Sequence, residues 1–419
     1  MFNRYNRTEG GSSVSRTARG AGCPVDSMKK ALVWLNLWVF ALLSACGQSV
    51  PSEAPKNIAV TAGDGQVTLT WTQESGLAYW VFYAPGSSVS FPGSTATTGY
   101  RSFFGISSPR IILNLTNDTQ YAFAMAMSQD GSKVGPVSDS LTATPRPAGA
   151  TWTVGPALSA ANLNGIAYDG TGFAAVGSGG ALFTSLDAVT WTALASGTTN
   201  DLNSIVHANG RFVAVGTAGT VLTSTDRLTW TLASSGVTDR LNSVRQNGGS
   251  YLATGENGTL LTSTDGVLWT RRTSGSSANL TASATFSGRT VVTGAGGTLL
   301  ASTDLLSWQA VGSGVSADLH SVAAGTAGFV AVGAGGNLVS SADGLTWAPV
   351  ASGTASSLHA IVFGSQFVAV GVGGAILTSR DGITWASVGS GTTASLTALV
   401  FGQGKYTAVG QSGANLVAR

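Results

Sequence analysis

The sequence has 419 residues, enough for two or three domains, and combines 57 glycines with only 10% charged residues. Its hydrophobic content of 43% excludes a disordered low-complexity chain. No amphipathic helical pattern follows residue 46, so we expect an all-β protein. Six of the 21 basic and two of the 19 acidic residues lie within residues 1–46, which leaves 15 basic against 17 acidic side chains. That balance, without a basic cluster, excludes a nucleic-acid-binding surface.

Residues 28–46 are typical of an export signal. A charged MKK start precedes the apolar run ALVWLNLWVFALL, and the segment ends in LSAC at residues 43–46. This ending resembles the lipobox of bacterial lipoproteins, which implies a signal peptide at 28–45 and lipidation of Cys46. Gly47 rather than aspartate after the cysteine implies, by the same resemblance, the outer membrane of a bacterial cell envelope. Two other interpretations stay open: an uncleaved anchor, and an ordinary signal peptide with an incidental cysteine.

Residues 1–27 form a polar stretch ahead of this signal. They indicate an over-extended start, with translation beginning at Met28 rather than Met1. Both cysteines, Cys23 and Cys46, lie in the N-terminal region. The rest of the sequence therefore predicts no disulfide and no thiolate metal site.

A small β-sandwich is predicted for residues 53–145, after a linker at 46–52. Alternating apolar and polar residues predict strands at residues 67–71, 79–83 and 121–128. The order of a tryptophan strand, an aromatic strand and the pattern L-x-x-x-T-x-Y resembles a fibronectin type III domain. That resemblance implies that Trp71 is the core tryptophan and that Tyr121 forms a tyrosine corner. We favour a spacer role over a ligand site, because this fold alone carries no function.

From Trp152 onward the sequence repeats with a period near 39 residues. Two patterns each occur seven times: one is typified by FVAVGTAG and the other by LNSI. Each unit therefore holds four short apolar runs separated by glycine turns, which predicts the four-stranded blade of a β-propeller. A further pattern, S-x-D-x-x-x-W, occurs six times, and its tryptophans are Trp191, Trp230, Trp269, Trp308, Trp347 and Trp385.

The C-terminal unit lacks its fourth strand. It stops at ANLVAR, whereas ATWTVG at residues 150–155 has no preceding unit. We therefore predict that residues 150–419, after a linker at 146–149, form a seven-bladed β-propeller. In that propeller, residues 150–155 supply the missing strand and close the ring, which removes the exposed strand edges.

The S-x-D-x-x-x-W segments resemble the Asp-box (BNR) repeats of sialidase-like propellers, and the repeat also resembles photosystem II assembly-factor-like propellers. We expect the aspartates to accept backbone N–H bonds in turns, and the tryptophans to pack between blades. The six aspartates lie in six different blades and cannot converge on one ion, which argues against a metal site. The glycines of VGTAGT and its copies are expected to supply positive φ rather than to bind phosphate, because no helix follows them. The aspartates are Asp187, Asp226, Asp265, Asp304, Asp343 and Asp381.

The sequence predicts no catalytic site. Sialidases use an arginine cluster, a Tyr/Glu pair and an acidic proton donor, but the repeats contain a single glutamate, Glu256. Asp201, Asp239 and Asp318 precede the first strands of separate units, so no pair of carboxylates for glycoside hydrolysis is apparent. Three histidines complete no Ser/His/Asp arrangement. We expect no enzyme activity, no cofactor and no metal.

One set of polar residues occupies the start of the first strand in all seven units. In propellers this position lines the central channel, so the set is predicted to surround the channel mouth, on the face opposite the Asp boxes. Two interpretations stay open: hydrogen bonding within the ring or to the preceding loop, and contact with a ligand. Adjacent His320 and His359 alone supply too few ligands for a metal. The set, here called the polar ring, is Asn164, Asn203, Asn242, Thr281, His320, His359 and Thr397.

These expectations favour a surface-tethered, non-catalytic binding lipoprotein that contacts a protein or glycan of the cell envelope with its channel-mouth face. Two alternatives remain. One is a carbohydrate-active enzyme of sialidase type. The other, implied by the assembly-factor resemblance, is a protein that helps to assemble a membrane protein complex.

Overall fold

The computed structural model describes residues 50–89, 100–129 and 133–418. Regular structure in these ranges consists of nine antiparallel β-sheets and seven single-turn 3₁₀ segments. The predicted signal peptide, Cys46 and the alternative start sites lie outside the described residues. Within the described ranges there is no helix with the length and hydrophobicity needed to cross a bilayer.

The first seven strands form two sheets, one of three strands in the order β1-β2-β5 and one of four in the order β4-β3-β6-β7. Apolar residues alternate along β2, so Val67 and Leu69 are fully buried between the sheets, against Tyr79 and Phe123. These strands are β1 (Ala59–Gly63), β2 (Gln66–Thr70), β3 (Ala78–Pro85), β4 (Arg101–Ile106), β5 (Arg110–Ile112), β6 (Tyr121–Ser128) and β7 (Leu141–Ala143).

Two aromatic residues singled out in the sequence lie in this core. Trp71 directly follows β2, and its ring centroid lies 5.5 Å from that of Tyr79. The Tyr121 hydroxyl accepts a hydrogen bond from the backbone N–H of Thr116, at 3.1 Å. This bond fixes the chain where it enters β6.

The remaining strands form seven four-stranded sheets. The first half contains β8 (Trp152–Val154), β9 (Leu163–Tyr168), β10 (Phe173–Gly177), β11 (Leu182–Ser185), β12 (Thr192–Ala193), β13 (Leu202–Ala208), β14 (Arg211–Gly216), β15 (Thr220–Ser224), β16 (Thr231–Ser234), β17 (Leu241–Asn247), β18 (Ser250–Gly255), β19 (Leu260–Ser263) and β20 (Thr270–Arg272).

The second half contains β21 (Leu280–Phe286), β22 (Arg289–Gly294), β23 (Leu299–Ser302), β24 (Gln309–Val311), β25 (Leu319–Ala324), β26 (Phe329–Gly333), β27 (Leu338–Ser341), β28 (Ala348–Val350), β29 (Leu358–Phe363), β30 (Phe367–Gly371), β31 (Ile376–Ser379), β32 (Ala386–Ser387), β33 (Leu396–Gly402), β34 (Lys405–Gly410) and β35 (Asn415–Ala418).

Six of these seven sheets consist of four consecutive strands, such as β13-β14-β15-β16. The remaining sheet has the order β33-β34-β35-β8. Its fourth strand comes from the N-terminal side, as the repeat pattern predicts, because β8 pairs antiparallel with β35 through Thr153 and Val417. The strand edge of β35 is thereby covered.

The core consists of seven clusters of buried residues, one between each pair of neighbouring sheets. Second strands such as β26 (FVAVG) are buried along their whole length, because a neighbouring sheet covers each face. The tryptophans of the Asp-box segments contribute to these clusters. The Trp230 ring lies 6.1 Å from that of Phe212 and also packs against the cluster shared with the preceding sheet.

A polar ring around the central channel as the candidate functional site

Each polar-ring residue forms a β-bulge at the start of a first strand. In the sheet containing β13, Leu202 pairs with Gly216 and Ser204 pairs with Val215, so Asn203 has no partner. The same shift occurs in all seven sheets. A bulge redirects the side chain of the extra residue, and here it turns the polar group towards the neighbouring sheet.

A glycine opposite each bulge permits this geometry. A Cβ atom on Gly216 would lie 1.9 Å from the carbonyl oxygen of Asp201. Gly216 is extended, with φ at −162°, so the expectation of positive φ is wrong for this glycine. It holds for the second glycine of the VGTAG segment, Gly219, whose φ is 65°. The first glycine is required because the backbones approach closely, not because of its own conformation.

The side chains of the polar ring form a closed circuit of hydrogen bonds. Each bonds the backbone carbonyl of the leucine that begins the first strand of the next sheet. The Asn203 Nδ2 atom, for example, lies 2.8 Å from Leu241 O, and the Thr397 hydroxyl completes the circuit at Leu163 O. The other five bonds join Asn164 to Leu202, Asn242 to Leu280, Thr281 to Leu319, His320 to Leu358, and His359 to Leu396.

The circuit determines which hydrogen-bonding atoms of the polar ring remain available to a partner. A carbonyl oxygen only accepts, so Nδ1 of His320 and of His359 carries the proton and donates, at 2.9 and 3.1 Å. Burial lowers the pKa of His359 and outweighs the bond to the Leu396 carbonyl, which raises it. The imidazole of His359 therefore retains a lone pair on Nε2, and its ring centroid lies 5.7 Å from that of His320.

Among the asparagines of the ring, the Oδ1 atom of Asn203 accepts a hydrogen bond from Nη2 of Arg240, at 3.0 Å. The corresponding oxygens of Asn164 and Asn242 form no hydrogen bond within the described residues. Together with Nε2 of His359, they make the channel mouth mainly a hydrogen-bond acceptor. It matches a partner that presents N–H groups.

The channel inside the ring is narrow. It encloses about 90 Å³ and is lined by the seven ring residues and by the residues that follow them in the first strands. Pockets for drug-sized molecules are larger, at about 300–1,000 Å³. A peptide or a sugar would therefore contact the rim of the channel instead of entering it.

Residues just before the first strands cap turns of the neighbouring sheet. The Asp201 carboxylate accepts a hydrogen bond from Gly179 N at 2.8 Å, and that of Asp318 accepts one from Gly296 N at 2.7 Å. Sequence reasoning missed this role, although a polar residue recurs at the position. Six of the seven 3₁₀ segments are capped in this way, and the exception among the described residues is Thr217–Gly219, because Arg240 stands at the capping position and has no acceptor. The six capped segments are Ser178–Gly180, Glu256–Gly258, Ala295–Gly297, Ala334–Gly336, Val372–Gly374 and Gln411–Gly413.

The acids considered for catalysis thus lie at separate junctions between sheets. Asp239 accepts hydrogen bonds from the side chains of Asn257 and Thr259. Glu256 begins a 3₁₀ segment. Among the described residues, no group of three or more His, Cys, Asp or Glu side chains is placed to hold a metal ion.

The Asp boxes lie at the other end of the sheets, in the hairpins between third and fourth strands. The Asp226 carboxylate accepts hydrogen bonds from Thr229 N at 2.7 Å and Leu228 N at 2.8 Å, and these lower its pKa to about 2. The same two bonds recur in all six boxes. The carboxylates are used within their own turns.

Comparisons with known proteins agree with this architecture. YCF48 bound to D1 peptide has a TM-score of 0.55 at 16% identity, covering 64% of this chain and 94% of that one. YCF48 from Cyanidioschyzon merolae gives 0.52 at 17%, covering 64% and 98%. A catalytically inactive virginiamycin B lyase from Staphylococcus aureus with quinupristin gives 0.56 at 10%, again covering 64% and 98%. The chain folds as a β-propeller. No family model and no curated protein sequence matches it.

Proposed function

We propose that this propeller is a non-catalytic protein-interaction module that binds its partner at the channel-mouth face. The observation that carries the proposal is the polar ring, whose donors hold the sheets together while its free acceptors surround the channel mouth. Such a surface suits the N–H groups of an extended peptide. The structural likeness to YCF48 bound to D1 peptide supports a protein partner.

The finer description of the molecule is part of this proposal. The seven four-stranded sheets support a seven-bladed propeller. The three-plus-four strand sandwich and the Tyr121 hydrogen bond support a fibronectin type III domain. The sequence around Cys46 supports a lipid anchor in the bacterial outer membrane, with a protein or glycan of the cell envelope as the partner.

A role in assembling a membrane protein complex is the second candidate. It is favoured by the likeness to two YCF48 structures. Both candidates need a protein-binding face. The assembly role differs from the interaction module only in what happens to the partner after it is bound. A sialidase-like enzyme is the third candidate, and it is disfavoured because Asp201, Asp239 and Asp318 are engaged in structural hydrogen bonds.

The test compares variants that separate binding from folding. Threonine makes the same inter-sheet bond at positions 281 and 397, so the double variant His320→Thr/His359→Thr retains the circuit and removes both imidazoles. A matched control, Leu228→Ser/Ile383→Ser, changes two exposed residues of the Asp-box hairpins instead. All three proteins are presented to a displayed library of random peptides.

We expect wild type and control to enrich the same peptides, and the histidine variant to lose them while its melting temperature stays within a few degrees of wild type. Equal enrichment by all three proteins would refute the channel-mouth surface. A parallel screen with fluorogenic glycosides tests the enzyme. Reproducible turnover that is lost on changing Glu256 or Asp201 would replace the binding proposal.

A further inference from the structure

Arg245 departs from the repeat, and its side chain lines the central channel. It lies three residues after the ring residue Asn242 in β17. The corresponding position in the other six sheets holds only alanine or valine. Arg245 lines the channel, whereas the shorter side chains at the six equivalent positions do not. The six residues are Ala167, Val206, Ala284, Ala323, Val362 and Val400.

The charge of Arg245 has no acidic partner in the described part of the chain. None of the ion pairs there includes it. Its Nη1 atom lies 3.4 Å from the Ser204 hydroxyl and 3.2 Å from the carbonyl of Val244, and both acceptors are neutral. Burial alone lowers the pKa of this guanidinium, with no contribution from a neighbouring charge, yet arginine stays protonated in proteins.

Part of the hydrogen-bonding capacity of this side chain is unused. A guanidinium has five N–H donors in a planar fork, and only Nη1 of Arg245 bonds a described atom. The side chain lines the cavity of about 90 Å³, so its remaining donors border that space. The hydroxyl groups of Ser204, Ser243 and Ser321 line the same cavity.

We propose that the central channel binds a small monovalent anion, of the size of a halide or a formate, at Arg245. The cavity of about 90 Å³ has room for such an anion and is small for bulky ones. A charge-assisted bond from a guanidinium to an anion is stronger than one to water. The bound anion neutralises the unpaired charge and links β17 to the preceding sheet through Ser204.

The first experiment measures thermal unfolding in sodium formate and in sodium gluconate at equal ionic strength. Formate fits the cavity and gluconate does not. Since an anion that binds only the folded state stabilises it by mass action, we expect the melting temperature of wild type to rise saturably with formate and not with gluconate. Identical curves in the two salts would overturn the proposal.

Two variants assign the effect to the channel. Arg245→Val places in β17 the residue that β13, β29 and β33 carry at this position, and we expect it to fold and to lose the difference between formate and gluconate. Arg271→Met removes an exposed arginine that pairs with Asp239 at 3.8 Å, and it should keep the difference. Retention of the full formate effect by Arg245→Val would show that the anion binds elsewhere.

A direct measurement keeps the proposal testable should Arg245→Val fail to fold. Crystals of wild-type protein are soaked in sodium bromide, and anomalous scattering locates the ion. We expect a bromide peak within hydrogen-bonding distance of the Arg245 guanidinium, inside the channel. Density there for water alone, with bromide only on the outer surface, would refute the site.

Discussion

The hydroxyl of Thr397 donates a hydrogen bond to the backbone carbonyl of Leu163, although 234 residues separate them in the chain. This bond joins β33 to β9, which are the first strands of two neighbouring sheets at opposite ends of the repeat. It completes the circuit of the polar ring. Each ring side chain thus crosses from one sheet to the next at the axis of the propeller. Loss of one bond weakens a junction on which both neighbouring sheets depend.

Asn203 tests the strength of one such junction. It is 9% exposed, and its side chain bonds Leu241 O and Arg240. Replacement by alanine leaves a carbonyl unsatisfied, so we expect Asn203→Ala to lose about 1–2 kcal/mol of unfolding free energy in urea denaturation. Asn203→Thr should lose less, because threonine makes the equivalent bond in two other sheets. Equal losses would show that the bond is unimportant.

Gly216 tests the close approach that creates the bulge. A methyl group there meets Asp201 O at 1.9 Å, so the strands must separate. We expect Gly216→Ala to lower the unfolding free energy by roughly 1–3 kcal/mol or more. Gly312→Ala is the matched control, since no atom lies within 4 Å of the added carbon there. A Gly216→Ala protein as stable as the control would contradict the packing argument.

Closure by β8 predicts that residues 150–155 stabilise the whole propeller. Replacing them with a glycine-serine sequence of equal length removes the pairing of Trp152–Val154 with β35. We expect a single cooperative transition at a clearly lower melting temperature by calorimetry, because both edges of the ring are then exposed. The same replacement at residues 46–52 is the control and should leave the transition unchanged. An unaltered melting temperature in the first variant would argue against closure.

The Asp boxes predict a specific acid sensitivity. Hydrogen bonds from Thr229 and Leu228 lower the pKa of Asp226 from 3.8 to about 2, and those from Thr384 and Ile383 do the same for Asp381. A lowered pKa in the folded state stabilises the protein fully above 3.8, and this stabilisation disappears as the pH falls towards 2. We expect the melting temperature to drop in that interval. The drop should be smaller in Asp226→Asn/Asp381→Asn, and an equal drop would assign it to other carboxyl groups.

The lipobox resemblance predicts covalent lipid on Cys46. In a bacterial host fed a labelled fatty acid, wild-type protein should incorporate the label. Cys46→Ser should not, because serine lacks the thiol that is acylated. Ser49→Ala, which lies in the mature chain, is the control and should label normally. Equal labelling of wild type and Cys46→Ser would refute the lipid anchor.

Much of the architecture follows from the repeat, since a period near 39 residues with four apolar runs specifies one four-stranded sheet per unit. The position of Asn203 in a ring could be predicted for the same reason. Its partner could not, because Leu241 O approaches only after two sheets have packed. The role of Gly216 was also hidden, since the repeated glycines suggested turns and the contact with Asp201 depends on a bulge. Periodicity locates a residue within its sheet, whereas contacts between sheets depend on their packing.

Arg245 shows the opposite case. A single charged residue among alanines and valines is visible in the aligned repeats, but without the channel it is indistinguishable from an exposed arginine. Its position in the channel, and the absence of an acid beside it among the described residues, depend on the seven sheets converging at one axis.

The placement of β8 also has a mechanical consequence. It is the outermost strand of its sheet, it contains three residues, and the covalent connection to all residues upstream of Trp152 runs through it. Tension that reaches the propeller along the linker at residues 146–149 acts first on the short ladder between β8 and β35, before any other strand pair of the propeller is loaded. The strand that closes the propeller is therefore also the one that a pull from the N-terminal side would detach first.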